Sequence, residues 1–175
     1  MRTLAVLSFL ALSSCSMLGG GGTNATAELI DNSSKVVGHA TLTQTEAGVK
    51  IVLDVKGAPP GTHALHIHNN GLCHAGEGKP FDSAGPHFNP YGKKHGLENP
   101  DGPHAGDLPN FEVKLDGTAH VEVLAQLVTL KDGAPNSLLK TGGTCLMIHM
   151  SADDGKTDPT GNAGTRWACG MIVKK

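Results

Sequence analysis

Ten histidines stand against four Phe, one Trp and one Tyr in this 175-residue chain. Imidazole is the commonest protein metal ligand, so the first question is which of the ten can converge. His66-Ile67-His68 is the most direct case. In a β-strand, residues two apart share a face and their Cα atoms lie about 6.5–7 Å apart. His66 and His68 can therefore reach one ion. His63 has the opposite parity and cannot join them without a bulge. A third imidazole, His149, follows the apolar run CLMI and points away from the face of Leu146 and Ile148. Three strand imidazoles make a nitrogen-rich site suited to copper or zinc. The plainer reading of the HxH pair alone is two exposed strand histidines.

A second set lies in SAGPHFNPYGKKHGLENPDGPHAGD, residues 83–107, which has neither a 2.0 nor a 3.6 hydrophobic period. His87, His95, His104 and Asp107 punctuate it at spacings of 8, 9 and 3. Structureless stretches longer than about 12–15 residues are uncommon in compact domains unless they are functional or disordered. Three imidazoles and a carboxylate can close a tetrahedral zinc site. A metal can fold a loop that has no hydrophobic core of its own. The alternative is a polar, disordered loop with scattered histidines.

The elements that must carry these groups read as strands. ATAELID, VVGHATLTQ, VKIVLDVKG, THALHIHN, NFEVKLD, AHVEVLAQ, TCLMIHM and ACGMIVK alternate or run apolar with β-branched residues, and turn signals such as Asp116-Gly117 separate many of them. No segment carries an amphipathic helical stripe over three turns. The expectation is an all-β fold, an eight-stranded antiparallel β-barrel or sandwich. Residues 69–109 and 151–166 are too long for hairpin turns and form two long functional loops.

The N-terminus reads as a targeting segment. Met1-Arg2-Thr3 is a short positive region, and Leu4–Leu12 is apolar but too short to span a bilayer. Leu12-Ser13-Ser14-Cys15 resembles a bacterial lipobox, which makes residues 1–14 a lipoprotein-type signal peptide and Cys15 the lipidated residue. An ordinary secretory signal is the alternative. Residues 15–25 form a Gly-rich tether, and the domain runs over 26–175. Either reading exports the chain, to the periplasm or cell envelope, with a membrane anchor if Cys15 carries lipid. Cys145 lies inside an apolar strand, where a thiol behaves as a small hydrophobe. Cys73 and Cys169 lie at element edges, so the expected disulfide joins Cys73 to Cys169. The net charge of −2 offers no basic face for nucleic acid.

GTHALHIHNNGLC, AGPHFNPYGKKHG, HAGDL and GNAGTRWACG occur in the order and approximate spacing of copper/zinc superoxide dismutases. The resemblance covers essentially the whole chain after the tether and looks closest to the bacterial exported branch. It implies a Greek-key β-fold, one copper and one zinc ion per subunit, and dismutation of superoxide to oxygen and hydrogen peroxide. Carried over by motif, His66, His68 and His149 match copper ligands, and His95, His104 and Asp107 match zinc ligands. His87 matches the residue that bridges both metals. Asp153 matches a carboxylate linking a copper histidine to a zinc histidine, with Asp154 as the alternative. Arg166 matches the active-site arginine.

His39, His63, His74 and His120 have no matched role and read as structural or exposed. Lys93, Lys94 and Lys156 are candidates for steering the anion, though each reads more simply as a solvated charge. The resemblance admits a homodimer as well as a monomer. A non-catalytic copper/zinc-binding protein of the envelope is the competing function, and the complete bridge and the retained Arg166 favour the enzyme.

Overall fold

The computed structural model describes residues 24–76 and 78–175. Ten strands follow in chain order: β1 (Asn24–Asp31), β2 (Val36–Thr45), β3 (Gly48–Lys56), β4 (Gly61–His63), β5 (Leu65–His68), β6 (Phe111–Val113), β7 (Thr118–Ala125), β8 (Cys145–His149), β9 (Arg166–Met171) and β10 (Val173–Lys174). Among the described residues the only helix is a 3-10 turn at Asp82–Ala84. The strands pair antiparallel in the order β5-β8-β9-β1-β2-β3-β7, with β10 also on β1 and a separate β4–β6 pair. The neighbours β3–β7, β9–β1 and β5–β8 are distant in sequence, as Greek-key crossovers require. The all-β antiparallel expectation holds.

Alternation explains the sheet. In β3, Val49, Ile51, Leu53 and Val55 are buried while Lys50, Asp54 and Lys56 face solvent. The inward set meets Leu42, Leu29, Leu65, Ile67, Leu146 and Ile148 in one core. Each such side chain contributes about 1.5–3 kcal/mol by leaving water.

Two of the eight expected strands are divided. THALHIHN breaks at Ala64, so that β4 pairs with β6 while β5 pairs with β8. The break lets one run serve two sheets. ACGMIVK breaks at Ile172, whose N–H donates to Thr144 O at 3.0 Å, and the chain resumes as β10 along β1. β1 begins at Asn24, two residues before the domain start expected at 26, and Ala25 is buried on the same face as Ala27 and Leu29. The expected signal peptide at 1–14 and the expected lipidation of Cys15 lie outside the described residues.

The long 69–109 segment is stitched to the barrel by its backbone. Ile67 N–H donates to Gly106 O at 2.8 Å, Phe88 N–H to Ile67 O at 2.8 Å, and Gly106 N–H to Phe88 O at 2.9 Å. A Cβ on Gly106 would lie 2.3 Å from Ile67 O, so only glycine admits this approach. Cys73 and Cys169 are disulfide-bonded, tying the same segment to β9. Cys145 is a buried free thiol whose pKa burial pushes up to about 12.

Candidate metal centre

His66 and His68 leave one face of β5, and His149 ends β8, the strand beside it. Between Ile148 and His149 the β8–β9 register shifts, so His149 opposes Arg166 rather than Trp167. Residues directly opposite in an antiparallel pair share a face, and a bulge re-aims the side chains around it. The bulge therefore brings Arg166 to the His149 side of the sheet. His87 reaches the same point from the loop, through an isolated bridge to His68.

His66, His68, His87 and His149 each place one ring nitrogen within 4.8 Å of the others, and all four are buried. The remaining nitrogens fix the tautomers. His66 Nε2 donates to Asp153 Oδ2 at 2.7 Å, His68 Nδ1 to Gly85 O at 2.8 Å and His87 Nδ1 to Asp107 Oδ1 at 2.9 Å. His66 Nδ1, His68 Nε2, His87 Nε2 and His149 Nε2 have no hydrogen-bond partner. Leaving one buried polar atom unpaired costs about 1–3 kcal/mol, so four at one point mark a place made for a cation. Burial, joined by neighbouring imidazoles, lowers His149 to about 3. Burial likewise lowers His87 to about 4 against the opposing bond to Asp107, and holds His68 well below its ordinary value. His68, His87 and His149 are therefore neutral near pH 7, the form that binds metal.

The second group forms around one oxygen. Asp107 Oδ1 lies 2.9 Å from His87 Nδ1, 3.0 Å from His95 Nδ1 and 3.3 Å from His104 Nδ1. Ligands about 2.0–2.1 Å from a tetrahedral zinc lie roughly 3.3 Å from one another, so these separations are close to the edges of such a site. Asp107 Oδ2 accepts from the backbone N–H groups of Gly96 and His104, both at 2.9 Å. Burial favours the neutral acid, but the close rings of His104, His87 and His95 outweigh it and keep Asp107 well below the usual carboxylate range. For His95, burial is outweighed by Asp107 and Asp153, which raise its pKa to about 9. His104 Nδ1 is the fifth buried orphan nitrogen.

His87 belongs to both groups, Nε2 in the first and Nδ1 in the second. Asp153 also touches both, since His95 Nε2 lies 3.1 Å from its Oδ1 and 3.0 Å from its Oδ2, beside the bond from His66. Asp154 instead closes its own turn, accepting from Lys156 N–H at 2.9 Å and Thr157 N–H at 2.8 Å. Arg166 stands over the first group, with Nη1 donating to Phe81 O at 2.5 Å and Nη2 to Gly85 O at 2.7 Å. It lines a cavity of about 530 Å³ together with His68, His87, His149, Lys79 and Thr160.

His63 is buried outside the site, with ring nitrogens 2.7 Å from His149 O and 2.8 Å from Pro59 O. His120 sits 2.6 Å from Asp54 on the exposed sheet face, His39 faces Glu28 there, and His74 is exposed. Lys94 pairs with Asp158 and Lys156 with Glu98. The lysine that lines the cavity is Lys79, which no motif marked. Gly85, whose carbonyl holds both His68 and Arg166, lies inside the AGPHFNPYGKKHG motif, but the part its backbone oxygen plays has no residue-type signal.

Residues 36–172 match the copper/zinc superoxide dismutase family. A Cu-Zn superoxide dismutase of Aquifex aeolicus is 55% identical over 149 residues, covering 83% of this chain and 84% of that protein. One of Caulobacter vibrioides is 42% identical over 152 residues, covering 85% of each. The crystal structure of a superoxide dismutase-like protein from Bacillus subtilis superposes with a TM-score of 0.80 at 37% identity, over 85% of this chain and 97% of that one. With both histidine groups in place and its sequence matched over this length, the chain belongs to the copper/zinc superoxide dismutase family.

Proposed function

We propose that this protein dismutates superoxide to oxygen and hydrogen peroxide at a copper held by His66, His68, His87 and His149, beside a zinc held by His87, His95, His104 and Asp107. The observation that carries the reading is the four orphaned, buried ring nitrogens at a cavity that Arg166 also lines, one of them on an imidazole whose other nitrogen enters the second group. A bound copper supplies the one-electron oxidation and reduction that dismutation needs, while zinc, which has no redox chemistry, fixes the shared imidazole.

The chain's own groups do the rest. Arg166 is a permanent cation at the cavity wall, and its planar fork suits a small anion. Two of its N–H groups are spent on Phe81 O and Gly85 O, which hold the fork still and leave other donors for substrate. His87 Nε2 faces the same point and is the atom from which a proton can pass to the reduced anion. Asp107 holds the far side of that ring. A protein that only stored metal would need neither a fixed arginine nor a shared imidazole.

Superoxide is then the substrate. The expected placement is the periplasm or cell envelope, through export directed by residues 1–14 and a lipid on Cys15, and the expected role is protection of the envelope from superoxide. The Cys73–Cys169 disulfide supports export, since such bonds persist in oxidising compartments. A homodimer is compatible with this reading, and the site does not depend on one, because every group named above comes from a single chain.

The test is Arg166→Glu in the domain loaded with copper and zinc. Superoxide consumption is expected to fall by about 10–100-fold, a typical range for electrostatic guidance, with both metals retained. An unchanged rate, or loss of copper, contradicts the assigned role. For the anchor, Cys15→Ala should release the protein from membranes; equal membrane association would refute lipidation.

A further inference from the structure

Asp153 contacts a histidine of each group, and its position has a cause outside both. Its Oδ1 accepts from Gly155 N–H at 2.6 Å, within its own loop. Its backbone is held from across the chain by Asn110. Asp153 N–H donates to Asn110 Oδ1 at 2.9 Å, and Asn110 Nδ2 donates to Asp153 O at 2.8 Å. The Asn110 carboxamide thus imitates one rung of an antiparallel ladder, across 43 positions of sequence.

Asn110 is itself firmly placed. Leu108, two residues before it, is buried, and Phe111, directly after it, is the first residue of β6 and pairs with His63 in β4. It follows Asp107 by three positions, so a single short segment carries both the oxygen that gathers the second group and the amide that grips Asp153. The residues around Asp153 have no strand or helix of their own.

We propose that Asn110 is a positioning residue of the metal centre: it sets the place of Asp153, and through it the ring orientation of His66 on the copper side and His95 on the zinc side. The inference rests on the metal-centre reading given above. The residue type follows from the geometry. Alanine offers neither bond. Aspartate keeps the acceptor for Asp153 N–H but loses the donor and turns a negative charge toward Asp153 O. Glutamine places the amide one methylene too far. Groups that orient metal-binding histidines typically change metal affinity about 10–100-fold when removed.

The experiment measures zinc and copper dissociation constants by chelator competition for the wild-type domain, Asn110→Ala, Asp153→Ala and the double variant. Asn110→Ala is expected to weaken zinc binding by about 10–100-fold, and to do so only while Asp153 is present, so that the double variant is no worse than Asp153→Ala. Should Asn110→Ala fail to fold, Asn110→Asp takes its place with the same expected non-additivity. Unchanged dissociation constants in the single variant, or losses that simply add in the double variant, overturn the inference while leaving the metal centre intact. A wild-type domain that takes up neither metal overturns both together.

Discussion

The two halves of the metal centre use the same side chain on opposite physical terms. The half proposed for copper is mounted chiefly on paired strands: β5 and β8 fix His66, His68 and His149, and burial keeps the rings His68, His87 and His149 neutral. No carboxylate enters that cluster. The half proposed for zinc hangs on a loop without regular structure, gathered around Asp107, whose charge, with that of Asp153, raises His95 to about 9. One half is shaped by sheet register before any ion arrives, whereas the other depends on a buried charge to collect its ligands. His87, shared by both, is the joint.

The sharpest way to break this contrast is Asp107→Ala. Removing the gathering carboxylate should cost the zinc half about 100- to 1,000-fold in affinity, roughly one ligand's share of a structural zinc's binding energy, and leave the strand-borne half able to take copper. Copper and zinc titrations check it, and equal loss of both would show that the strands do not shape their half independently.

Cutting the disulfide should act next most strongly. Cys73→Ser with Cys169→Ser removes a closure spanning 96 positions, worth about 4–5 kcal/mol in the chain-entropy treatment less any strain. Urea unfolding measures that loss. The same variant loosens the segment whose Phe81 and Gly85 carbonyls hold Arg166, so activity should fall by more than copper occupancy does. Parallel losses would place the effect on the metal instead.

A smaller effect separates the halves by pH in the metal-free domain. His87 and His149 have folded pKa values of about 4 and about 3, below the ordinary 6.5, so the unfolded chain binds more protons as pH drops below 6.5. Stability should therefore decline on acidification through that window. His95, raised to about 9, contributes stability that is fully present below pH 6.5 and lost as pH rises toward 9. With His68 also held well below its ordinary value, unfolding midpoints between pH 4 and 9.5 should peak near 6.5, the acid flank reflecting roughly two or three protons and the alkaline flank about one. Added zinc should remove the alkaline decline, because the ion replaces the His95 proton. A midpoint rising steadily with pH would contradict the assigned charge state of the zinc half.

How far the sequence carried differs between the halves for the same reason. Strand parity alone put His66 and His68 on one face and His149 away from Leu146 and Ile148, because a period of two is written in neighbouring residues. Parity could not reveal the break at Ala64 or the bulge that sets Arg166 opposite His149, since both are decided by pairing with distant strands. In the loop, spacing suggested a zinc-like set, but the shared role of His87 came only from resemblance to a family. The roles of Lys79, Gly85 and Asn110 had no residue-type signal. Their parts are played by a cavity wall, a backbone oxygen and an amide reaching a residue 43 positions away.

The most direct measurement pairs a metal assay with the rate of superoxide disappearance on one sample of the domain. The account requires a rate that rises in proportion to copper content, toward one copper and one zinc per chain. A fully loaded domain that consumes superoxide no faster than the metal-free protein would contradict it.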